Sequence, residues 1–286
     1  MDSAAPFDPD FDDCAWTDAW ANIPIVQVVP GDYGSFSVKA WRVDEADVCG
    51  RHIALSPPLE VRGLVHAEGR LWMSDAPQER LMMFNNAQAS HGRTLVGGLG
   101  LGLYAQYAMP YVSELVIVER DARLVEAVEP VVRVAAAAHG VPLRVHTCEV
   151  GDVLCAPPDE RYDTIFLDTW SELDAAHLPG INALRGDALP HLAPGGRVLL
   201  WGYGWMLRLF LDACERLLAV EPGGRRAWLR VMTRQRPAVW RMLVPVLEHF
   251  AGDPVDHMAP ALDWCRAYAI DLTPGALPPA NDLDPR

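Results

Sequence analysis

Val96-Gly97-Gly98-Leu99-Gly100-Leu101-Gly102 directly follows a short buried-type run, Thr94 to Val96, and directly precedes a helix-forming run, Leu103 to Ala108. Glycines at such a junction let the main chain turn sharply and let a ligand reach backbone N–H groups, while the helix N-terminus adds partial positive charge. On this reading Gly98, Gly100 and Gly102 cradle a ligand, with Gly100 bare so that the ligand can approach. The next alternating run, Glu114 to Val118, ends in Glu119, about 20 residues beyond the loop, where a carboxylate can accept hydrogen bonds from ribose hydroxyls. Ala122 to His139 reads as an amphipathic helix closed by Gly140. Three more strands are predicted, Leu143 to Cys148, Tyr162 to Leu167 and Arg197 to Trp201, the last after a Pro194-Gly195-Gly196 turn. Strand and helix alternate throughout, which predicts a mostly parallel sheet with helices on both faces. Ligands of such sheets lie outside the carboxyl ends of the strands, so the loop, Glu119, Asp152 and Asp168 are expected to converge on one crevice.

Towards the N-terminus the pattern differs. Ile23 to Val29, Ser35 to Val43, Glu60 to His66 and Arg70 to Met73 are short β-type runs, broken at Pro30-Gly31-Asp32, Ser56-Pro57-Pro58 and Glu68-Gly69. A helix is predicted to follow, with Ser74 or Asp75 as N-cap, Pro77 in its first turn and Leu81, Met82 and Phe84 behind. The expected organisation is an acidic arm over 1–22, a small antiparallel β domain over 23–73, the α/β domain over 74–220, and a mostly helical extension with a Pro-rich tail over 221–286.

A chain of 286 residues, half of them apolar, can bury a full-sized core. Its apolar runs are far shorter than the roughly 20 residues that cross a bilayer, and no basic segment precedes an apolar one, so a cytoplasmic protein without membrane association is expected. Cys14, Cys49, Cys148, Cys155, Cys214 and Cys265 form no Cys-x-x-Cys pair and read as reduced thiols. His66, His91, His177 and His191 stand isolated, so no metal is expected. A formal charge of −14 opposes a nucleic-acid partner. Against it stands a local basic run, Arg225, Arg226, Arg230, Arg234, Arg236 and Arg241, read as a solvated face or as the counterpart of the acidic arm, with a phosphate-binding patch as the alternative.

The block from Glu60 to Gly204 resembles the spermidine synthase-like branch of the class I S-adenosylmethionine-dependent transferases. The resemblance rests on Leu71-Trp72-Met73-Ser74-Asp75, Gly98-Leu99-Gly100-Leu101-Gly102, Val118-Glu119-Arg120-Asp121, Val150-Gly151-Asp152, Tyr162-Asp163 leading to Asp168, and Leu192-Ala193-Pro194-Gly195-Gly196. It implies a Rossmann-like class I methyltransferase fold and S-adenosyl-L-methionine (SAM) as cofactor. By the same resemblance Glu119 holds the cofactor ribose, Asp152 the adenine amino group, and Asp168 stands beside the reacting sulfonium or the incoming nucleophile. Arg120, Val153 and Thr169, adjacent in these motifs, complete the cofactor candidates.

The departures bear on the acceptor. Spermidine synthases hold a polyamine with a carboxylate in the glycine loop, a Tyr-His-Glu-like cluster on the preceding helix and an Asp-Ser-Ser-Asp-Pro-like segment after the fourth strand. Here those positions are Leu101, then Leu81, Met82 and Met83, then Asp168-Thr169-Trp170-Ser171-Glu172. A dication pressed against Leu and Met would lose the charge-assisted hydrogen bonds that must replace its hydration. The expected enzyme is therefore a methyltransferase for a small acceptor that is not a polycation. Asp75, Met82, Met83 and Trp170 are its acceptor-binding candidates, Asp168 and Trp170 its catalytic ones, and a homodimer is the assembly considered. Transfer or cyclisation of the aminopropyl or aminocarboxypropyl arm of SAM, and a non-catalytic SAM-binding module, are the competing readings.

Overall fold

The computed structural model describes residues 25–48, 51–234, 236–252 and 254–278. The expected acidic arm, the start of the first expected strand, Cys14, Cys49 and the end of the Pro-rich tail lie outside them. The chain forms two compact units, Met1–Ser171 with Asp187–Trp201, and Glu172–Gly186 with Gly202–Arg286. The N-terminal sheet and the parallel sheet thus share one unit, and the divisions between the units fall at 171, 186 and 201.

In the first unit, strands β1 (Gly31–Asp32), β2 (Phe36–Val48), β3 (Arg51–His66) and β4 (Leu71–Ser74) form an antiparallel sheet in chain order. Its main element is the long β2–β3 hairpin, where the sequence reading expected a break at Ser56-Pro57-Pro58. The prolines do interrupt the ladder, because pairing jumps from Val43↔Leu59 to Glu45↔Ala54. Proline has no N–H to donate, so the pair is absorbed in a register shift and the strand continues past it.

Helix α1 (Pro77–Gln88) follows, with Pro77 at its first position and Ala76 at the N-cap, making no side-chain cap bond. Neither Ser74 nor Asp75 caps it as expected. The parallel sheet then comprises β5 (Gly92–Gly97), β6 (Val112–Glu119), β7 (Leu143–Thr147), β8 (Tyr162–Leu167) and β9 (Leu192–Leu200), in the order β7-β6-β5-β8-β9. All four pairings are parallel. Helices α2 (Leu103–Ala108), α3 (Ala122–His139), α4 (Val150–Cys155) and α5 (Leu178–Ala188) connect the strands. This is the Rossmann-like α/β architecture, a parallel sheet with helical connections, that the sequence predicts. β9 begins earlier than predicted, since Pro194-Gly195-Gly196 lies within it at a register shift between Tyr162↔Leu192 and Thr164↔Arg197.

The central strands are buried on both faces, with Leu95, Leu115, Ile117, Ile165 and Leu167 wholly inaccessible. Strand order reverses between β5 and β8, and in an open α/β sheet the ligand crevice lies at that switch point. The opposite, amino ends are tied by a four-membered ion network. Arg93 pairs with Glu114 (2.9 Å) and Glu160 (2.6 Å), and Arg144 with Glu114 (2.9 Å) and Glu160 (2.8 Å). Hydrogen bonds from Arg144 and Arg93 hold the Glu160 carboxyl down at about 2, below its ordinary 4.5. A depressed carboxyl stabilises the fold above its unfolded value and loses that contribution as pH falls through the folded one. Glu160→Gln is therefore expected to lower stability by about 1 kcal/mol at pH 7, a partly exposed network being screened, with the deficit gone by about pH 2. Urea unfolding of both proteins across this range measures it.

The second unit contains most of α5, together with α6 (Tyr203–Leu218), α7 (Arg225–Met232), α8 (Pro237–His249) and α9 (Met258–Asp271). Asn182 donates to the carbonyls of Ala269 and Leu272, each at 2.8 Å, and accepts from the Tyr203 hydroxyl at 2.7 Å. Buried Arg225 donates to the carbonyls of Leu218, Val220 and Phe250, satisfying acceptors that helix ends leave open. Among the described residues no helix is long and apolar enough to cross a membrane.

Candidate functional site

The carboxyl ends of β5, β6, β8 and β9 are joined by backbone hydrogen bonds around the glycine loop. Gly98 N–H donates to Val118 O (2.9 Å), Asp168 N–H to Gly97 O (2.8 Å) and Trp201 N–H to Leu167 O (3.0 Å). Glu119, 6% exposed at the end of β6, closes the loop from beneath. Its Oε2 accepts Leu99 N–H and its Oε1 accepts Asp121 N–H, each at 2.9 Å. A carboxylate oxygen has a second lone pair, so Glu119 keeps acceptor capacity for a ligand.

Each candidate glycine is bare for a reason that lies within the protein. A Cβ on Gly98 (φ +95°) would collide with the backbone carbonyl of Asp168. On Gly102 it would meet Val132 and Val128 of α3, so this position lets the helix approach the loop. On Gly100 (φ +51°) it would come within 2.6 Å of the Met73 Sδ at the edge of the N-terminal sheet. Met73 is flexible, whereas a main-chain carbonyl is not. Gly100→Ala is accordingly expected to cost about 1 to 3 kcal/mol, from the left-handed backbone and the displaced thioether together. Guanidinium unfolding of Gly100→Ala in a Met73→Ala background should recover the displacement part and leave the backbone part.

Asp168 follows β8 at the switch point and is half-buried. Burial, with the Glu119 charge as the second cause, pushes its carboxyl from 3.8 up to about 7. Among the described residues nothing donates a hydrogen bond to this carboxylate, and the charge that acts on it is the negative one of Glu119. Thr169 is exposed, its methyl group lying near the Gly98 position. Trp170 is partly buried and donates its indole N–H to Trp201 O at 3.1 Å. The indole N–H of Trp201 is itself buried without an acceptor. Trp201 was not among the sequence candidates; its place at the carboxyl end of the fifth parallel strand was the available signal.

The remaining candidates differ in their fit. Asp152 lies in the first turn of α4, exposed, with Val153 partly buried beside it. Arg120 is exposed and 3.6 Å from Glu149, the residue before α4. Asp75 is withdrawn from the acceptor set. It is 1% exposed, and its carboxylate accepts from the Arg62 backbone N–H, from Gln27 (2.9 Å) and from Arg80 (2.7 Å). Met82 and Met83 are 3% and 2% exposed and belong to the packed interior, which withdraws them as well. Leu81 and Leu101 are buried in the same core. Among the described residues no group of three His, Cys, Asp or Glu side chains is placed to hold a metal ion.

No family model and no curated protein matches the chain. Among solved structures it is similar to a precorrin-8w decarboxylase of Methanobacterium thermoautotrophicum, at 16% identity and TM-score 0.33, over 44% of this chain and 62% of that one. It is also similar to protein arginine methyltransferase 10 of Arabidopsis thaliana, at 14% identity and TM-score 0.31, over 65% of this chain and 50% of that one. A third similarity is to MnmC2 of Aquifex aeolicus, at 12% identity and TM-score 0.35, over 86% of each chain. The chain thus spans less than two thirds of the first two. Likenesses this low do not bear on activity, and the fold stands on the strand order described above.

Proposed function

We propose that the protein is a SAM-dependent methyltransferase acting on a small acceptor that is not a polycation. The observation that carries this reading is the pair Glu119 and Asp168 at the switch point, the second unpaired and pushed up to about 7. A crevice with that deficit fits a ligand that brings positive charge to Asp168 and hydroxyls to Glu119. SAM has both, and when bound it supplies a methyl group activated on a sulfonium. Gly98, Gly100 and Gly102 would carry it, Glu119 would hold the ribose, and Asp152 with Val153 the adenine, while Arg120 and Thr169 would border it. Asp168, titrating near neutrality, would balance the cation or take a proton from the acceptor at its carboxylate. Trp170 would offer its ring to the sulfonium or the acceptor.

Transfer of the aminopropyl arm is the second reading, favoured by the resemblance and by Asp168 itself. Against it, the helix positions that would hold a polyamine are the buried Leu81, Met82 and Met83, which have no acceptor for an ammonium. Calorimetry with SAM and S-adenosylhomocysteine tests the cofactor, and absence of binding by either overturns the proposal. With a small-molecule cell extract as source of acceptor, mass spectrometry of the nucleoside product separates the readings. S-adenosylhomocysteine is expected. Methylthioadenosine, or extension of putrescine or spermidine, would assign arm transfer instead.

A further inference from the structure

Residues 222–247 contain six arginines and no Asp or Glu, in a chain of formal charge −14. The structure sorts them into two groups. Arg225 is buried against main-chain carbonyls, Arg236 pairs with both oxygens of Asp174 at 2.6 Å, and Arg241 donates to Pro278 O at 2.6 Å. Arg226, Arg230 and Arg234 are exposed and make no ion pair with any described residue. The first two stand one turn apart on α7, and the third lies in the turn that follows. Beside them Val231 is 74% exposed. Unpaired guanidinium groups next to an exposed apolar side chain form a face suited to an acidic segment that also carries hydrophobic residues.

One segment of the chain has that chemistry. Met1–Ala21 contains six aspartates and no Lys or Arg, interleaved with Phe7, Phe11, Trp16 and Trp20. Its charge of −6 is opposite in sign to the three exposed arginines, Arg226, Arg230 and Arg234. Arg226 and Arg230 are about 6 Å apart along the helix axis, and alternate side chains of an extended peptide are spaced by about 6.6 Å. Asp8, Asp10 and Asp12 alternate in sequence, so a segment bound in extended form would present them at that spacing. A long polyanion would fit less well, since the rest of the chain is acidic and repels it.

We propose that Arg226, Arg230, Arg234 and Val231 form a docking surface for the Met1–Ala21 segment of a second copy of this chain. Sedimentation velocity of the full chain over a wide concentration range tests it. A reversible dimer is expected, weakened by added salt and competed by a free peptide of residues 1–21. The triple variant R226E, R230E and R234E, and separately the triple variant D8N, D10N and D12N, should each raise the dimer dissociation constant at least about tenfold. Circular dichroism verifies folding of both variants, and the three arginines are exposed. A wild-type monomer at every concentration, or a dimer indifferent to both variants, overturns the proposal. So does a monomer that phosphatidylserine vesicles or duplex DNA retain through these arginines, which would give the face to a polyanion.

Discussion

Asp168→Asn is expected to make the ligand-free protein more stable at pH 8 while lowering turnover by roughly 10² to 10⁴. A carboxyl raised from 3.8 to about 7 is still protonated in the folded protein where the unfolded chain has already lost its proton. Below pH 3.8 both states hold the proton and the group is neutral to stability. Between 3.8 and 7 the unfolded state alone ionises, so stability falls as pH rises, and above 7 the full penalty remains. A shift of about three units corresponds to roughly 4 kcal/mol, which residual hydration of a half-buried group reduces to about 2 to 4 kcal/mol. Asparagine has no such charge to desolvate. Its advantage should be present at pH 8 and gone near pH 4 in parallel urea titrations. A cation seated against Asp168 favours the ionised form, so wild-type affinity for SAM should rise from pH 6 to pH 7.5 and that of the variant should not. An Asn variant less stable than wild type at pH 8 would show that the carboxylate is held by partners and not short of one.

The parallel sheet was legible because its strands are largely apolar or alternating runs of strand length between turn residues, and the runs at Leu95–Val96 and Ile165–Leu167 are buried on both faces. The succession of glycine loop, Glu119 and Asp168 then followed from the rule that ligands lie at strand carboxyl ends. The N-terminal sheet was less legible. Ser56-Pro57-Pro58 carries the signature of a break, and only its partner strand reveals that the ladder resumes beyond it. Asp75 was less legible for a related reason. An acidic residue before a helix looks available as a cap, but Arg80 lies five residues on and the Arg62 N–H reaches it from β3, so both carboxylate oxygens are engaged within the protein.

Met82 and Met83 show what a single sequence cannot convey. Helix α1 reads as half polar, yet every residue from Arg80 to Ala87 is buried, including Asn85 and Asn86. It is packed against both α2 and β2, a circumstance of tertiary arrangement with no local signal. The glycine loop illustrates a finer distinction. Its pattern is that of a ligand cradle, while the space in which a Cβ of Gly98, Gly100 or Gly102 would stand is filled by the protein itself. Those glycines therefore shape the loop, and because the N–H groups of Gly98, Leu99 and Gly102 are bonded within the protein, the ligand contacts left to it come from its remaining N–H groups and from Glu119.

Glu119 joins loop shape to ligand affinity, and Glu119→Ala separates the two. The substitution removes the acceptor of two backbone N–H groups, those of Leu99 and Asp121. Hydrogen bonds to a charged group contribute about 1.5 to 3 kcal/mol each, and Leu99, itself 6% exposed, would keep a donor with little access to water. A stability loss of about 2 to 4 kcal/mol is expected without any ligand, measured by urea unfolding. If Glu119 also holds the cofactor ribose, SAM affinity should fall by at least about a hundredfold, since two further charge-assisted bonds disappear with it. Glu119→Gln is the finer probe. Its single carbonyl oxygen can still accept one of the two N–H groups, but its amide nitrogen faces the other as a second donor. The glutamine variant should therefore lose roughly half of the stability difference and most of the affinity, because a neutral amide makes weaker bonds to ribose hydroxyls than a carboxylate does. Stability lost with affinity unchanged would leave Glu119 as a clamp on the loop and nothing more. Affinity lost with stability unchanged would mean that Leu99 and Asp121 find other acceptors when the carboxylate is gone.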